Sequence, residues 1–182
     1  QGIFELVPSV DHPSFSITRM MRTLNKGNIF IEYDIQKGAA LSPVYSLLFD
    51  LAMKETLSPS RSGNRSSNVF FVLDELKLLP YISHLEDALN YGRSNRVSVI
   101  AGLQSVHQLA ETYRDGKDKV VLGGFGTLIA MKLNDSDSRQ YVSQTCGTNI
   151  VLERTMGMNY LPTEQQRVGY VVEDWDISTL GI

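Results

Sequence analysis

The chain has 182 residues, a formal charge of −3, 42% hydrophobic residues and 20% charged residues. That composition excludes disordered, collagen-like and coiled-coil chains, and an acidic balance argues against a surface that grips nucleic acid everywhere. The single cysteine, Cys146, excludes an internal disulfide, and the longest uncharged apolar run, Val120 to Met131, is too short to span a bilayer.

In chain order, Ile17, Met20, Met21 and Leu24 recur at helical spacing, which predicts a helix from Ser16 to Leu24 closed by Gly27. Asn28 to Tyr33 reads as a strand. Ser42-Pro43 is expected to open a helix whose stripe runs through Val44, Leu47, Leu48, Leu51, Ala52 and Leu57. Ser58 to Ser67 is polar and serine-rich, the pattern of a surface loop, and it carries Arg61 and Arg65. Val69 to Leu73 is uniformly apolar, as in a strand buried on both faces.

Ser83 and Glu86 are spaced as a capping box for a helix ending at Gly92, and Ser105 and Gln108 as a second one. Val97 to Ala101 and Thr127 to Leu133 read as strands. Arg114, Lys117 and Lys119 fall in a polar loop. Asp135 or Asp137 caps a helix that stops before Gly147, and Cys146 is expected to pack as a small hydrophobe. Ile150 to Glu153 and Val168 to Val172 are further strand candidates. Strands alternating with helices predict an α/β fold with a mainly parallel sheet, and such sheets bind ligands at the carboxyl ends of their strands.

Three polar features fall at such ends. Asp74-Glu75 directly follows Val69 to Leu73, the form of a Walker B motif: the first carboxylate holds Mg²⁺ through water and the second polarises a water for attack on a γ-phosphate. Gln104 follows Val97 to Ala101 and is placed to bond a phosphate or that water. Arg93 follows Gly92 at a helix end, where a guanidinium can reach a phosphate in a neighbouring subunit. Each also has a plain structural explanation, as a cap residue or as a charge complementing a helix end.

The order of these pieces carries a resemblance. Phe-Phe-Val-Leu-Asp74-Glu75-Leu is followed by Leu85-Glu-Asp-Ala-Leu-Asn-Tyr-Gly-Arg93, then Ala101-Gly-Leu-Gln104-Ser-Val-His-Gln-Leu, Gly124-Phe-Gly-Thr127 and Asn134-Asp135. This series is similar to the coupling proteins of conjugative type IV secretion, the TraG/TraD family within the FtsK/HerA group of ring ATPases. The resemblance implies a RecA-like P-loop NTPase core that assembles as a homo-hexamer at the cytoplasmic face of the bacterial inner membrane. It implies ATP and Mg²⁺ as cofactors, and single-stranded DNA, relaxase and relaxosome proteins and the type IV secretion channel as partners. Asp74 then matches the Walker B aspartate, Glu75 the catalytic glutamate, Gln104 the glutamine after the next strand and Arg93 the arginine presented to the neighbouring nucleotide.

No Gly-x-x-x-x-Gly-Lys-Ser/Thr phosphate cradle occurs in the sequence. In the family that segment lies upstream, so the chain, which starts at Gln1, is expected to be the C-terminal part of the motor domain. Residues 1–150 are then the Walker B half and residues 151–182 an extension of the same domain. Alone, it is expected to bind ATP poorly and to hydrolyse none.

Two other functions are open to the sequence. Glu32 with Asp135 and Asp137 resembles a Toprim arrangement for Mg²⁺-dependent phosphodiester chemistry. The chain also suits a non-catalytic module that docks relaxosome proteins. For DNA, Arg61, Arg65, Arg114, Lys117 and Lys119 are the candidate phosphate contacts. His12, His84 and His107 show no metal-ligand spacing.

Overall fold

A computed structural model describes residues 16–23, 27–58, 68–156 and 162–181. The helices are α1 (Ile17–Thr23), α2 (Gly38–Leu57), α3 (Leu85–Tyr91), α4 (His107–Thr112), α5 (Lys117–Gly124), α6 (Ser136–Cys146) and α7 (Asp174–Ser178). The strands are β1 (Val69–Leu73), β2 (Val97–Ala101), β3 (Thr148–Met156) and β4 (Pro162–Tyr170). Chain contacts define two compact units, Gln1–Gln104 with Gln108–Gly126, and Ser105–His107 with Thr127–Ile182.

In the first unit β1 and β2 run parallel, with Val69 opposite Val97 and Leu73 opposite Ala101. Strand side chains alternate between faces. Phe71, Leu73 and Val97 therefore turn into the core, where they join Met53 of α2, Leu85 and Ala88 of α3, Leu109 of α4 and Val121 of α5. Phe70, Val72 and Ile100 turn the other way and are exposed. The sequence expectation of a strand buried on both faces thus holds for one face only, because no described helix packs on the second.

Other local expectations shift for identifiable reasons. Asn28 to Tyr33 forms no ladder among the described residues, and Phe30 is 90% exposed. The start of α2 lies at Gly38 rather than Ser42, because Asp34 accepts hydrogen bonds from the Gln36 and Lys37 amides and turns the chain earlier. The Ser42 hydroxyl instead donates to the Leu78 carbonyl, and Pro43 sits inside the helix.

Neither capping box forms. His84, not Ser83, is the N-cap of α3 and makes no side-chain cap; its amide donates to Asp50 Oδ1 at 2.8 Å. Ser105 Oγ accepts from the His107 amide, but Gln108 does not reciprocate, since its Oε1 is buried without a partner among the described residues. Lys117 and Lys119 lie on α5 rather than in a loop. Lys117 Nζ donates to the Tyr81 hydroxyl at 2.9 Å and sits 4.8 Å from that ring's centroid.

In the second unit β3 and β4 form an antiparallel hairpin, with Ile150 opposite Val168. Both strands are longer than the apolar runs that announced them, and β4 ends at Tyr170, short of Val172. Val142 of α6 and Ile177 of α7 are buried there. Thr127 to Leu133 carries no ladder among the described residues, and Ile129 and Met131 are exposed. Cys146 is exposed, not packed. Among the described residues no helix is long and apolar enough to cross a membrane.

Candidate active site at the carboxyl ends of the parallel strands

The approach of two backbones builds this site. Past the last ladder pair, the Gly102 amide donates to the Leu73 carbonyl at 2.8 Å, and the Leu76 amide donates to the Gly102 carbonyl at 3.1 Å. The parallel pairing is thereby extended one step beyond both strands. A Cβ on Gly102 would lie 2.1 Å from the Asp74 carbonyl oxygen, so only glycine fits without a backbone shift. After Glu75 the chain turns into a short 3₁₀ segment, Leu76–Leu78.

This arrangement brings two of the four predicted catalytic residues together. Gln104 Nε2 donates to Glu75 Oε2 at 2.8 Å, across 29 positions of sequence. The other Glu75 oxygen, Oε1, is buried and has no hydrogen-bond partner among the described residues. Asp74 lies beside them with its side chain exposed to solvent. An adjoining cavity of about 240 Å³ is lined by Asp74, Glu75, Val72, Tyr33, Tyr45 and Phe49, among others. The Tyr33 and Tyr45 rings that face it lie 5.6 Å apart, centroid to centroid. The sequence pattern singles out neither tyrosine: Tyr33 ends the expected strand Asn28 to Tyr33, and Tyr45 falls outside the apolar stripe of the helix that follows.

Arg93 is elsewhere. It opens the 3₁₀ segment Arg93–Asn95 that precedes β2, and the Val69 amide donates to the Arg96 carbonyl at the same end. Arg93 therefore marks the amino ends of the strands, and Asp74 and Glu75 mark the carboxyl end. A strand of five residues separates them by roughly 16 Å at about 3.3 Å per residue. Of the proposed DNA contacts, Arg61 and Arg65 lie outside the described residues. Arg114 directs its Nε to the Glu111 carbonyl at 3.4 Å.

Asp135 has a different task. It is the N-cap of α6, accepting from the Ser138 amide at 2.9 Å, from the Ser138 hydroxyl, and from the Ser105 hydroxyl at 2.9 Å. These bonds, that from the Ser138 hydroxyl foremost, hold its carboxyl below the usual carboxylate range. Asp137 follows in the first helical turn. Among the described residues no three or more His, Cys, Asp or Glu side chains gather where they could hold a metal. The reading of Glu32, Asp135 and Asp137 as a Toprim-like centre has no assembled site there. A Mg²⁺ held through water by one exposed carboxylate and by phosphate oxygens needs no such cluster, and Asp74 suits that mode.

The sequence profile of the type IV secretion-system coupling protein DNA-binding domain matches residues 2–169. The conjugal transfer protein TraG of Rhizobium radiobacter is 31% identical over 99 residues, covering 53% of this chain and 15% of TraG. TraG of Agrobacterium fabrum is 32% identical over the same length and shares. Among solved structures, the bacterial conjugative coupling protein TrwBdeltaN70 in its unbound form superposes with a TM-score of 0.76 at 27% identity. That match covers 92% of this chain and 39% of TrwB. TrwB in complex with ADP and Mg²⁺ gives 0.75 at 27% identity, covering 92% of this chain and 38% of that one. The chain thus spans under a fifth of the TraG relatives and about two fifths of the TrwB chain. Its fold is the RecA-like P-loop type, α/β with a parallel strand pair, and the chain belongs to the family of type IV secretion-system coupling protein DNA-binding domains.

Proposed function

We propose that this chain is the Walker B half of an ATP-driven coupling protein that recruits single-stranded DNA and relaxase complexes to a type IV secretion channel. The observation that carries this reading is the contact between Glu75 and Gln104, beside Asp74, at the carboxyl end of a parallel strand pair. TrwB, similar over nearly all of this chain, is described with ADP and Mg²⁺ and with a non-hydrolysable GTP analogue. By extension, the intact protein takes ATP and Mg²⁺, works as a hexamer, and sits at the cytoplasmic face of the inner membrane.

In this reading residues 1–150 belong to the motor core and residues 151–182 extend it. Mg²⁺ would neutralise charge on the phosphates when bound. Asp74 would hold that ion through water. Glu75 takes the proton of the attacking water, and Gln104 donates to phosphate oxygen. Arg93 serves the neighbouring subunit's nucleotide. Arg61, Arg65, Arg114, Lys117 and Lys119 remain the proposed DNA contacts.

ATP hydrolysis by the full-length protein, measured with and without single-stranded DNA, tests this. DNA-stimulated turnover that disappears in Asp74→Asn is the expected result. Turnover indifferent to Asp74 would remove the site from the reaction.

A further inference from the structure

We infer that Arg96 joins Arg93 in a phosphate-binding site at the amino ends of β1 and β2, with Tyr91 beside them as a stacking surface for a base. This site deepens the reading above, on which it rests and which uses Arg93 alone. Among the described residues, Arg22, Arg139, Arg154 and Arg167 each pair with a carboxylate. Arg93 and Arg96 are exposed, and neither guanidinium has a hydrogen-bond or ion-pair partner among the described residues. The Arg96 amide donates to the Arg93 carbonyl at 3.3 Å, so the two stand on one closed turn. Like charges so placed repel unless an anion lies between them, and a guanidinium fork matches the oxygens of a phosphate.

The turn has no need of an arginine for its own sake. Arg96 has φ 55° and ψ 38°, the left-handed conformation that glycine adopts at least cost. Its carbonyl accepts from the Val69 amide at 2.9 Å, and the Val97 amide donates to the Gly92 carbonyl at 2.8 Å. These are backbone bonds, and a glycine would make them equally well. The Arg96 side chain is therefore present against the backbone's preference. Tyr91 is 63% exposed and is tied to the same turn, its carbonyl accepting from Ser94 Oγ at 2.9 Å and from Asn95 Nδ2 at 3.1 Å. An exposed ring beside two unpaired guanidiniums suits a base together with its phosphates. The ligand is then a nucleoside phosphate ester, supplied either by a neighbouring subunit's nucleotide or by the backbone of single-stranded DNA.

The full-length variants Arg96→Gly, Arg96→Gln and Tyr91→Leu test the site and separate the two sources. Affinity for a fluorescent oligothymidylate is measured over a salt series, and ATP turnover is measured without DNA. If DNA is the ligand, both Arg96 variants should bind the oligonucleotide about three- to ten-fold more weakly, the range of one hydrogen bond. The slope of log affinity against log salt should become shallower by about 0.7, the loss of one phosphate contact on a single strand. Tyr91→Leu should weaken binding by at least about five-fold. If the neighbour's nucleotide is the ligand, oligonucleotide binding stays at the wild-type level. Both Arg96 variants then lose turnover by about three- to ten-fold and recover part of it when mixed with Glu75→Gln subunits. Unchanged binding and turnover in both Arg96 variants overturn the site and leave the ATPase reading intact. A defect in Arg96→Gln that is absent from Arg96→Gly also overturns it, since strain in the turn then accounts for the loss. Wild-type protein that neither binds the oligonucleotide nor turns over ATP overturns both.

Discussion

Gly102 and Asp74 are in backbone contact: a Cβ built on Gly102 would stand 2.1 Å from the Asp74 carbonyl oxygen. The glycine is therefore part of the site's construction, since it sets how closely the segment bearing Gln104 approaches the segment bearing Glu75.

Gly102→Ala forces one of these backbones to move. A shift of this kind typically costs about 1–3 kcal/mol. The expected outcome is a melting temperature lower by several degrees, with ATP turnover reduced beyond what the stability loss accounts for. An alanine variant with unchanged melting and turnover would show that the approach is not needed.

Tyr113 is 1% exposed, and its hydroxyl accepts a hydrogen bond from the Ile82 amide at 3.3 Å. Burial pushes its pKa from 10.0 up to about 12, against the smaller opposing pull of that bond. The unfolded chain ionises this phenol near pH 10, and the folded chain does so only near pH 12. Its contribution is therefore complete below pH 10 and is lost as the pH rises to about 12, by on the order of 2 kcal/mol. Tyr113→Phe should cost about 1 kcal/mol at pH 7, where the Ile82 amide loses its acceptor, and should show a shallower alkaline fall. Urea midpoints of both proteins across pH 8 to 12 check this; parallel curves would contradict it.

Arg93 and Glu75 stand at opposite ends of the strand pair. An arginine so placed acts on another subunit's nucleotide or not at all. Arg93→Ala alone and Glu75→Gln alone should each abolish turnover in the full-length protein. If the arginine acts across subunits, mixtures of the two proteins should regain part of it, because some interfaces then pair an intact arginine with an intact glutamate. A mixture as inactive as its components would exclude action across subunits.

Much of this was legible in the sequence because it depends on local residue order. The apolar runs of β1 and β2, the cap at Asp135 and the placement of Asp74, Glu75 and Gln104 after strands all follow from neighbouring residues. What was not legible depends on distant partners. Ser42 carries the right chemistry for a cap, but the Leu78 carbonyl, 36 positions away, engages its hydroxyl. The composition of Val69 to Leu73 shows that the strand is apolar; it does not show that Phe70 and Val72 lack a covering helix. Likewise, Thr127 to Leu133 has strand-forming residues but no ladder partner among the described residues. The Glu75–Gln104 bond itself required the Gly102 approach, which no spacing rule encodes.

The central claim is that the carboxylate at the end of β1 drives ATP hydrolysis, and Glu75→Gln in the full-length protein tests it most directly. The substitution keeps the shape of the side chain and removes its capacity to take a proton. ATP binding should persist at near wild-type affinity while turnover falls by at least about a hundred-fold, the lower range for a lost general base. Turnover within a few-fold of wild type would contradict the account.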